Sequence, residues 1–372
     1  MAGIYVHIPF CASFCTYCGF YSETVQRRCP QEMTPFVSYA AALRREMAER
    51  RGECFPENEP VRTLYIGGGT PSVLPAEVFS DIIEDLRKNF NLSSLEEFTV
   101  EVNPDDIASD TGLSLIEAYK NAGVNRISMG VQSFIPRHLR WMNRRHTARQ
   151  AVEAFNRLRE AGFCNISIDL IFGFASLMAE EWSETLNCAV RLAPEHISSY
   201  QMSIDSESAL AEMVAAEKYR EPSDEICAEQ YSLLQKTLSE AGYRQYEISS
   251  FAKPGFESKH NSSYWAREPY LGLGAAAHSF DGDRIRSWNV SSVEEYCKGT
   301  APEREVLSDT DIYNEKVMLG LRTAEGLPAS ILPSDKAIKS LVYDSDRDRF
   351  AIPPEKFFIC DSIIEEFIQT DD

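Results

Sequence analysis

The chain has 372 residues, 37 basic and 57 acidic, with a formal net charge of −20, 44% hydrophobic and 25% charged residues. That length holds one large domain with an appendage, or two domains, and the composition can bury a core, which excludes global disorder. The acidic balance argues against nonspecific binding to nucleic acid or anionic lipid, because neutralising phosphates takes Lys and Arg.

No stretch approaches the roughly 18 apolar residues that span a bilayer. The opening MAGIYVHIPFC has neither the basic start nor the long apolar run of a secretory signal. The expectation is a cytoplasmic protein with no integral membrane segment and no nucleic-acid partner. Of ten cysteines, all but Cys11, Cys15 and Cys18 are scattered singly, as buried free thiols are in a reducing compartment.

In chain order, β-branched and apolar runs occur at 4–8, 62–66, 98–102, 126–131, 165–172 and 196–202. Helical spacing follows at 36–50, 76–89, 112–122, 148–161 and 180–192, and Gly123 and Gly162 sit where helix C-caps belong. Six strand-then-helix units predict an α/β fold with a parallel sheet. Six are too few for a closed eightfold barrel, so a partial, open (β/α)6 barrel is expected, and a doubly wound sheet fits the pattern equally well. In either case ligands collect at the carboxyl ends of the strands. There stand Cys11, residues 67–69, Glu101, Asn103, Gln132 and, within the fifth strand, Asp169.

The pattern changes near residue 205, which sets the expected division: a barrel over 1–205 and a smaller α+β accessory domain over 206–372. Residues 206–240 read as helical and charged, 242–251 and 284–290 as short strands, and 312–322 as a helix. HNSSYW and LGLGAAAH lie between the two short strands. The tail, with Pro333, Pro353 and Pro354, reads as short elements.

CASFCTYC places Cys11, Cys15 and Cys18 as C-x3-C-x2-C. Soft thiolates suit Fe–S clusters and zinc. Three can hold three irons of a cubane and leave the fourth iron open to an external chelator. A closed zinc site normally needs four ligands. His7 lies in the expected strand, and Cys29 is eleven residues beyond Cys18. A zinc knuckle and three unrelated thiols are the competing readings. Tyr17, just before the third cysteine, could pack on a cluster or an adenine.

The ordered series YVHIPFCASFCTYC, IGGGTPS, EVNP, GVQSF, NRRH and DLIFG, spread over about residues 3 to 290, resembles the radical-SAM superfamily. Within it, the series resembles the oxygen-independent coproporphyrinogen III oxidases and their relatives. The resemblance implies a radical-SAM partial barrel. It implies that Cys11, Cys15 and Cys18 ligate a [4Fe–4S] cluster. It further implies that Tyr5 and Tyr17 line a site for S-adenosylmethionine (SAM), where Gly68, Gly69 and Thr70 bring backbone close to its methionyl ammonium and carboxylate. Glu101 and Gln132 would bond SAM's ribose and methionine groups, Arg144 would offer a planar fork to a carboxylate, and Asp169 would orient polar groups near adenosine. The implied chemistry is reductive cleavage of SAM to methionine and a 5′-deoxyadenosyl radical, with an electron donor for the cluster.

The true oxidases carry a fourth cysteine two residues after the triad and a leader of several dozen residues. Here Phe20 stands at that position and Tyr5 comes almost at once. Both features resemble the HemW-like branch of heme chaperones, which bind heme and pass it to acceptor proteins. HNSSYW also resembles that branch's His-Asn-x-x-Tyr-Trp motif, which implies that His260 meets heme iron while Tyr264 and Trp265 pack on the porphyrin. The competing reading is a core histidine with packed aromatics. Ser258 and Ala175 depart from the branch's usual Cys and Pro. The alternative function is decarboxylation of two propionates of coproporphyrinogen III to give protoporphyrinogen IX. Acceptors in respiratory membranes would bring the protein to the membrane periphery.

Overall fold

Six parallel strands and their helices occupy the first 201 residues, and every strand and helix that the periodicity indicates there begins and ends within two residues of its expected position. They are β1 (Ala2–Ile8), β2 (Val61–Gly68), β3 (Glu97–Val102), β4 (Arg126–Gln132), β5 (Ile166–Phe172) and β6 (His196–Gln201). Outside them lie α1 (Thr34–Glu49), α2 (Ala76–Asn89), α3 (Pro104–Ala108), α4 (Gly112–Ala122), α5 (Pro136–Trp141), α6 (Ala148–Glu160) and α7 (Ala179–Leu192). The computed structural model describes residues 2–25, 33–332 and 339–370; Cys29 and Pro333 lie outside them.

Local sequence explains the element ends. In α2, Val78, Phe79, Ile82, Ile83 and Leu86 form one buried stripe at helical spacing. Thr147 and Gln150 form a capping box that starts α6. α4 stops at Gly123, whose φ of 82° is the left-handed C-cap that glycine adopts at little cost.

The strands pair in chain order, β1 through β6, all parallel. They do not close on themselves. The sheet instead continues past residue 205 on both sides. Beyond β6 come β8 (Ser250–Ala252) and β7 (Arg244–Gln245), both antiparallel. Beyond β1 lies β9 (Tyr270–Leu273), parallel to it, then β10 (His278–Phe280), β11 (Ile285–Trp288) and β12 (Glu303–Val306) as an antiparallel meander. One twelve-stranded sheet results. A separate three-stranded sheet joins β13 (Leu327–Pro328), β14 (Val342–Asp344) and β15 (Arg349–Ala351). The charged stretch after residue 205 holds two helices, α8 (Ala209–Ala215) and α9 (Asp224–Glu240), and HNSSYW lies in a short helix, α10 (Lys259–Trp265). α11 (Val293–Lys298), α12 (Asp309–Leu321) and α13 (Cys360–Glu365) complete the chain. Among the described residues, no helix is long and apolar enough to cross a membrane.

Candidate cofactor site at the carboxyl ends of the strands

Strand register divides the side chains of the six-stranded core sharply. One face carries Ile4, Val6, Leu64, Ile66, Phe98, Val100, Ile127, Met129, Ile166, Ile168 and Ile197, all buried. The opposite face carries Tyr65, Thr99, Glu101, Arg126, Ser128, Asp169 and Ser198, in register across neighbouring strands. Parallel strands covered by helices on both faces usually read as unbroken apolar runs. Here period-two alternation puts a polar lumen on one side of the sheet, so the first face supplies packing and the second is available for chemistry.

At the carboxyl ends this lumen opens into a cavity of about 540 Å³. All three clustered cysteines line it, together with Tyr17, Gly68, Gly69, Thr70, Glu101, Gln132, Arg144 and Asp169. The cysteine loop is tied down at several points. Phe10–Cys11 bridges Glu23–Thr24 in a two-residue parallel pair. Thr16 donates its N–H to the Met142 carbonyl at 3.2 Å and its hydroxyl to the Trp141 carbonyl at 2.7 Å. The Asn143 amide donates to the Phe14 carbonyl at 2.6 Å.

Arg144 joins this loop to β4 and to the residue that follows β3. Its guanidinium donates to Cys15 Sγ at 3.2 Å, Asn103 Oδ1 at 2.5 Å and the Gly130 carbonyl at 2.7 Å, while its buried Nε has no protein partner. Cys11 Sγ lies 3.4 Å from Thr70 Oγ1. Burial pushes the Cys11 thiol up, partly offset by Thr70, and pushes Cys18 up to about 11.

Two carboxyls sit deeper in the cavity wall. Glu101 accepts from the Tyr65 hydroxyl at 2.7 Å and the Gly68 N–H at 3.1 Å. Burial raises Glu101 to about 7 and Asp169 to about 6, with Arg126 pulling both back. Gln132 has a φ of 65° at a register shift in β4, a left-handed conformation that costs a non-glycine residue about 1 kcal/mol or more. It lines the cavity there. The glycines serve packing as well as access. A Cβ on Gly68 (φ 106°) would fall 2.4 Å from the His7 ring, and one on Gly69 would fall 2.8 Å from the Ile8 and Phe10 carbonyl oxygens.

The donor set suits an iron–sulfur cubane and SAM. Among the described residues, no three His, Cys, Asp or Glu side chains are grouped around a single-ion site. A cubane takes each thiolate on a different iron, so its ligands stand apart around a volume. The partnerless Arg144 Nε and the two carboxyls offer one donor and two acceptors to a zwitterionic amino acid.

Several expected residues lie elsewhere. Tyr5 does not line the cavity; its hydroxyl is 2.9 Å from His7 Nδ1 and its ring lies against Tyr65. Strand alternation points it into the lumen below the mouth. Of the residues expected at a heme site, His260 is held inside the fold, while Tyr264 lines the smaller cavity described below. His260 is 1% exposed, with Nδ1 2.9 Å from Thr63 Oγ1 and Nε2 2.7 Å from the Tyr264 hydroxyl. Its ring stacks on Tyr65, and burial lowers it to about 3. Both nitrogens are therefore occupied, at the amino end of the lumen and away from the cysteines. Trp265 is half-buried and lines neither this cavity nor the smaller one described below. Sequence reasoning missed Ser128, Tyr200 and Met202, which also line the large cavity. The rule that selected Glu101, proximity to a strand's carboxyl end, would have found Tyr200.

Comparison with known proteins agrees with this geometry. The model of the radical SAM superfamily matches residues 5–189. The heme chaperone HemW of Lactococcus lactis subsp. lactis (strain IL1403) is 32% identical over 99% of this chain and 97% of its own. The heme chaperone HemW of Bacillus subtilis (strain 168) is 35% identical over 88% of this chain and 85% of its own. Among solved structures, the coproporphyrinogen III oxidase HemN of Escherichia coli, described as a radical SAM enzyme, superposes with a TM-score of 0.79. At 24% identity over 99% of this chain and 90% of that one, the superposition shows a common fold alone.

Proposed function

The chain belongs to the radical SAM superfamily and, within it, to the family of the HemW heme chaperones, and on that premise we propose that it binds heme and transfers it to acceptor proteins. The superfamily implies a [4Fe–4S] cluster and SAM. Cys11, Cys15 and Cys18 would hold the cluster, and three thiolates would leave one iron for SAM. Glu101, Gln132 and Asp169 accept from SAM's polar groups, Gly68, Gly69 and Thr70 admit its amino-acid end, Tyr17 covers it, and Arg144 faces its carboxylate. When bound, the cluster supplies an electron to the sulfonium. Arg144 also fixes the cysteine loop against β4 and the residue after β3, so that binding SAM and holding the cluster share one guanidinium.

The observation that carries the chaperone reading is similarity to HemW relatives over nearly the whole chain. Phe20 supports it: where the oxidases place a fourth cysteine, this chain has a phenyl ring 74% exposed. A cytoplasmic location and an electron donor for the cluster complete the proposal. In the test, the anaerobically reconstituted protein is assayed for iron, sulfide and a cluster spectrum that changes on adding SAM, then titrated with hemin. It is next incubated with coproporphyrinogen III, SAM and reductant. We expect a SAM-dependent cluster signal, saturable hemin binding and no protoporphyrinogen IX. Formation of protoporphyrinogen IX would replace the chaperone reading with the oxidase.

A further inference from the structure

The chain has six histidines, and in five of them a ring nitrogen is already engaged. His7 bonds Tyr5 and the Tyr21 carbonyl, His138 bonds Ser133 and Glu181, and His146 bonds the Val131 carbonyl. His196 bonds Ser167 and Tyr246, and His260 bonds Thr63 and Tyr264. All five are buried. His278 is exposed, its ring makes no hydrogen bond among the described residues, and it stacks on Trp288 with centroids 5.9 Å apart. Burial of its inner edge and the neighbouring Arg286 lower it, so at neutral pH the imidazole keeps a lone pair.

His278 lines a groove of about 260 Å³ on the sheet extension, between β9, β10 and β11 and the face of α12. Tyr264, Tyr270, Phe280 and Met318 supply apolar and aromatic walls, so one residue of the HNSSYW segment faces this groove. Two guanidiniums, Arg267 and Arg286, lie against the Phe280 ring, 4.7 and 5.6 Å from its centroid. Both pair with one carboxylate, Glu315, so the side chains lining the groove are two cations and one anion, with Asp281 and Asp283 acting on Arg267 from outside it. Arg286 Nε is buried without a partner. Arg267 follows the end of α10 with φ 54°, a left-handed position where glycine is usual. A side chain kept there despite the strain needs a task, and the geometry gives it one beside Arg286.

We propose that this groove is the heme site, with His278 as axial ligand to the iron, the aromatic wall against the ring, and Arg267 and Arg286 receiving the propionates. The proposal rests on the heme-chaperone reading and supplies its missing ligand after His260 is set aside. The chemistry is that of heme sites generally: an imidazole nitrogen for iron, apolar contact for the macrocycle and a planar donor fork for carboxylates. The groove is smaller than a whole porphyrin, so the macrocycle stands partly outside it, accessible to an acceptor.

The test uses the full chain, titrated with hemin and, separately, with metal-free protoporphyrin IX, in wild type, His278→Ala and Arg286→Gln. Thermal unfolding of each variant checks that it is folded. We expect saturable hemin binding with a shifted Soret band in wild type. His278→Ala should weaken hemin about tenfold or more and alter the Soret band, yet leave metal-free porphyrin almost unaffected. Arg286→Gln should weaken both ligands. If wild type binds no hemin, the chaperone reading itself fails. If wild type binds hemin and both variants match it in affinity and spectrum, this site is wrong while the chaperone reading stands.

Discussion

Both ends of the barrel lumen gather polar and ionisable side chains, but they use them in opposite ways. At the amino end, Glu97 is 3% exposed and accepts from the Ser258 hydroxyl and from the N–H groups of Lys259 and His260, which starts α10. His260 then spans Thr63 and Tyr264, so the plug is paired within the protein, although Arg126 beside it keeps two buried nitrogens without a protein partner. At the carboxyl end the polar groups face a 540 Å³ cavity, and Arg144 Nε, the Gln132 backbone and the raised carboxyls are left in costly states. A satisfied network stabilises; an unsatisfied one beside a cavity waits for a ligand. Motif residues can thus belong to either class, and hydrogen bonding tells which.

The largest effect that could break this contrast lies at the open end. Cys15→Ala should abolish cluster assembly, measured as iron and sulfide after anaerobic reconstitution, while thermal unfolding of the metal-free protein barely moves. Retention of a full cluster would remove the basis of the cofactor assignment. At the plugged end the pattern should reverse. Glu97→Ala strands the buried N–H of His260 and the part-buried N–H of Lys259 and should cost about 3 kcal/mol of stability in denaturant unfolding, with the SAM response of the surviving folded protein intact.

A pH titration sharpens the comparison further. Glu101, facing Tyr65, Asp169 and Arg126, and Asp169, facing Arg126, Ser198, Arg144 and Ser128, both have their pKa raised by burial. Folding therefore favours their protonated forms. The stability they contribute to the unliganded protein is full below about pH 4 and is lost as pH rises through about 6 and 7. Cationic groups of SAM favour the ionised forms, so SAM affinity should rise about tenfold from pH 6 to 7.5, followed by equilibrium binding. A flat profile would mean that these carboxyls do not face the ligand. The smallest effect is again at the closed end. Thr63→Val removes one partner of His260 Nδ1 and should cost about 1 kcal/mol, without any change in cluster or SAM signals.

Much of this was legible because it repeats. Each strand-and-helix unit announces itself by period, and the cysteine spacing carries its own chemistry. The elements that escaped lack such signals. β9 is built from Tyr270–Leu273 in a stretch of small residues, and its pairing to β1 is a contact between chain segments more than 260 residues apart. α10 has only 7 residues and is capped by Ser258 and by Glu97 from a distant strand, so no local apolar stripe betrays it. The positions of His260 and Tyr5 were unreadable for a related reason. A motif reports residue types in order, whereas being a free ligand or a satisfied plug depends on what the rest of the fold brings against each side chain. His278 shows the converse: it closes the LGLGAAAH stretch, whose pattern suggested no role, and only its lack of partners singles it out.

The alternation along the six core strands has a consequence for how such a protein changes over time. Side chains under the helices hold the architecture upright, and the intervening ones hardly contribute to that task. Rewriting every second strand residue could refit the interior for a different small molecule while leaving the shell standing, so new chemistry can arise here without a new scaffold.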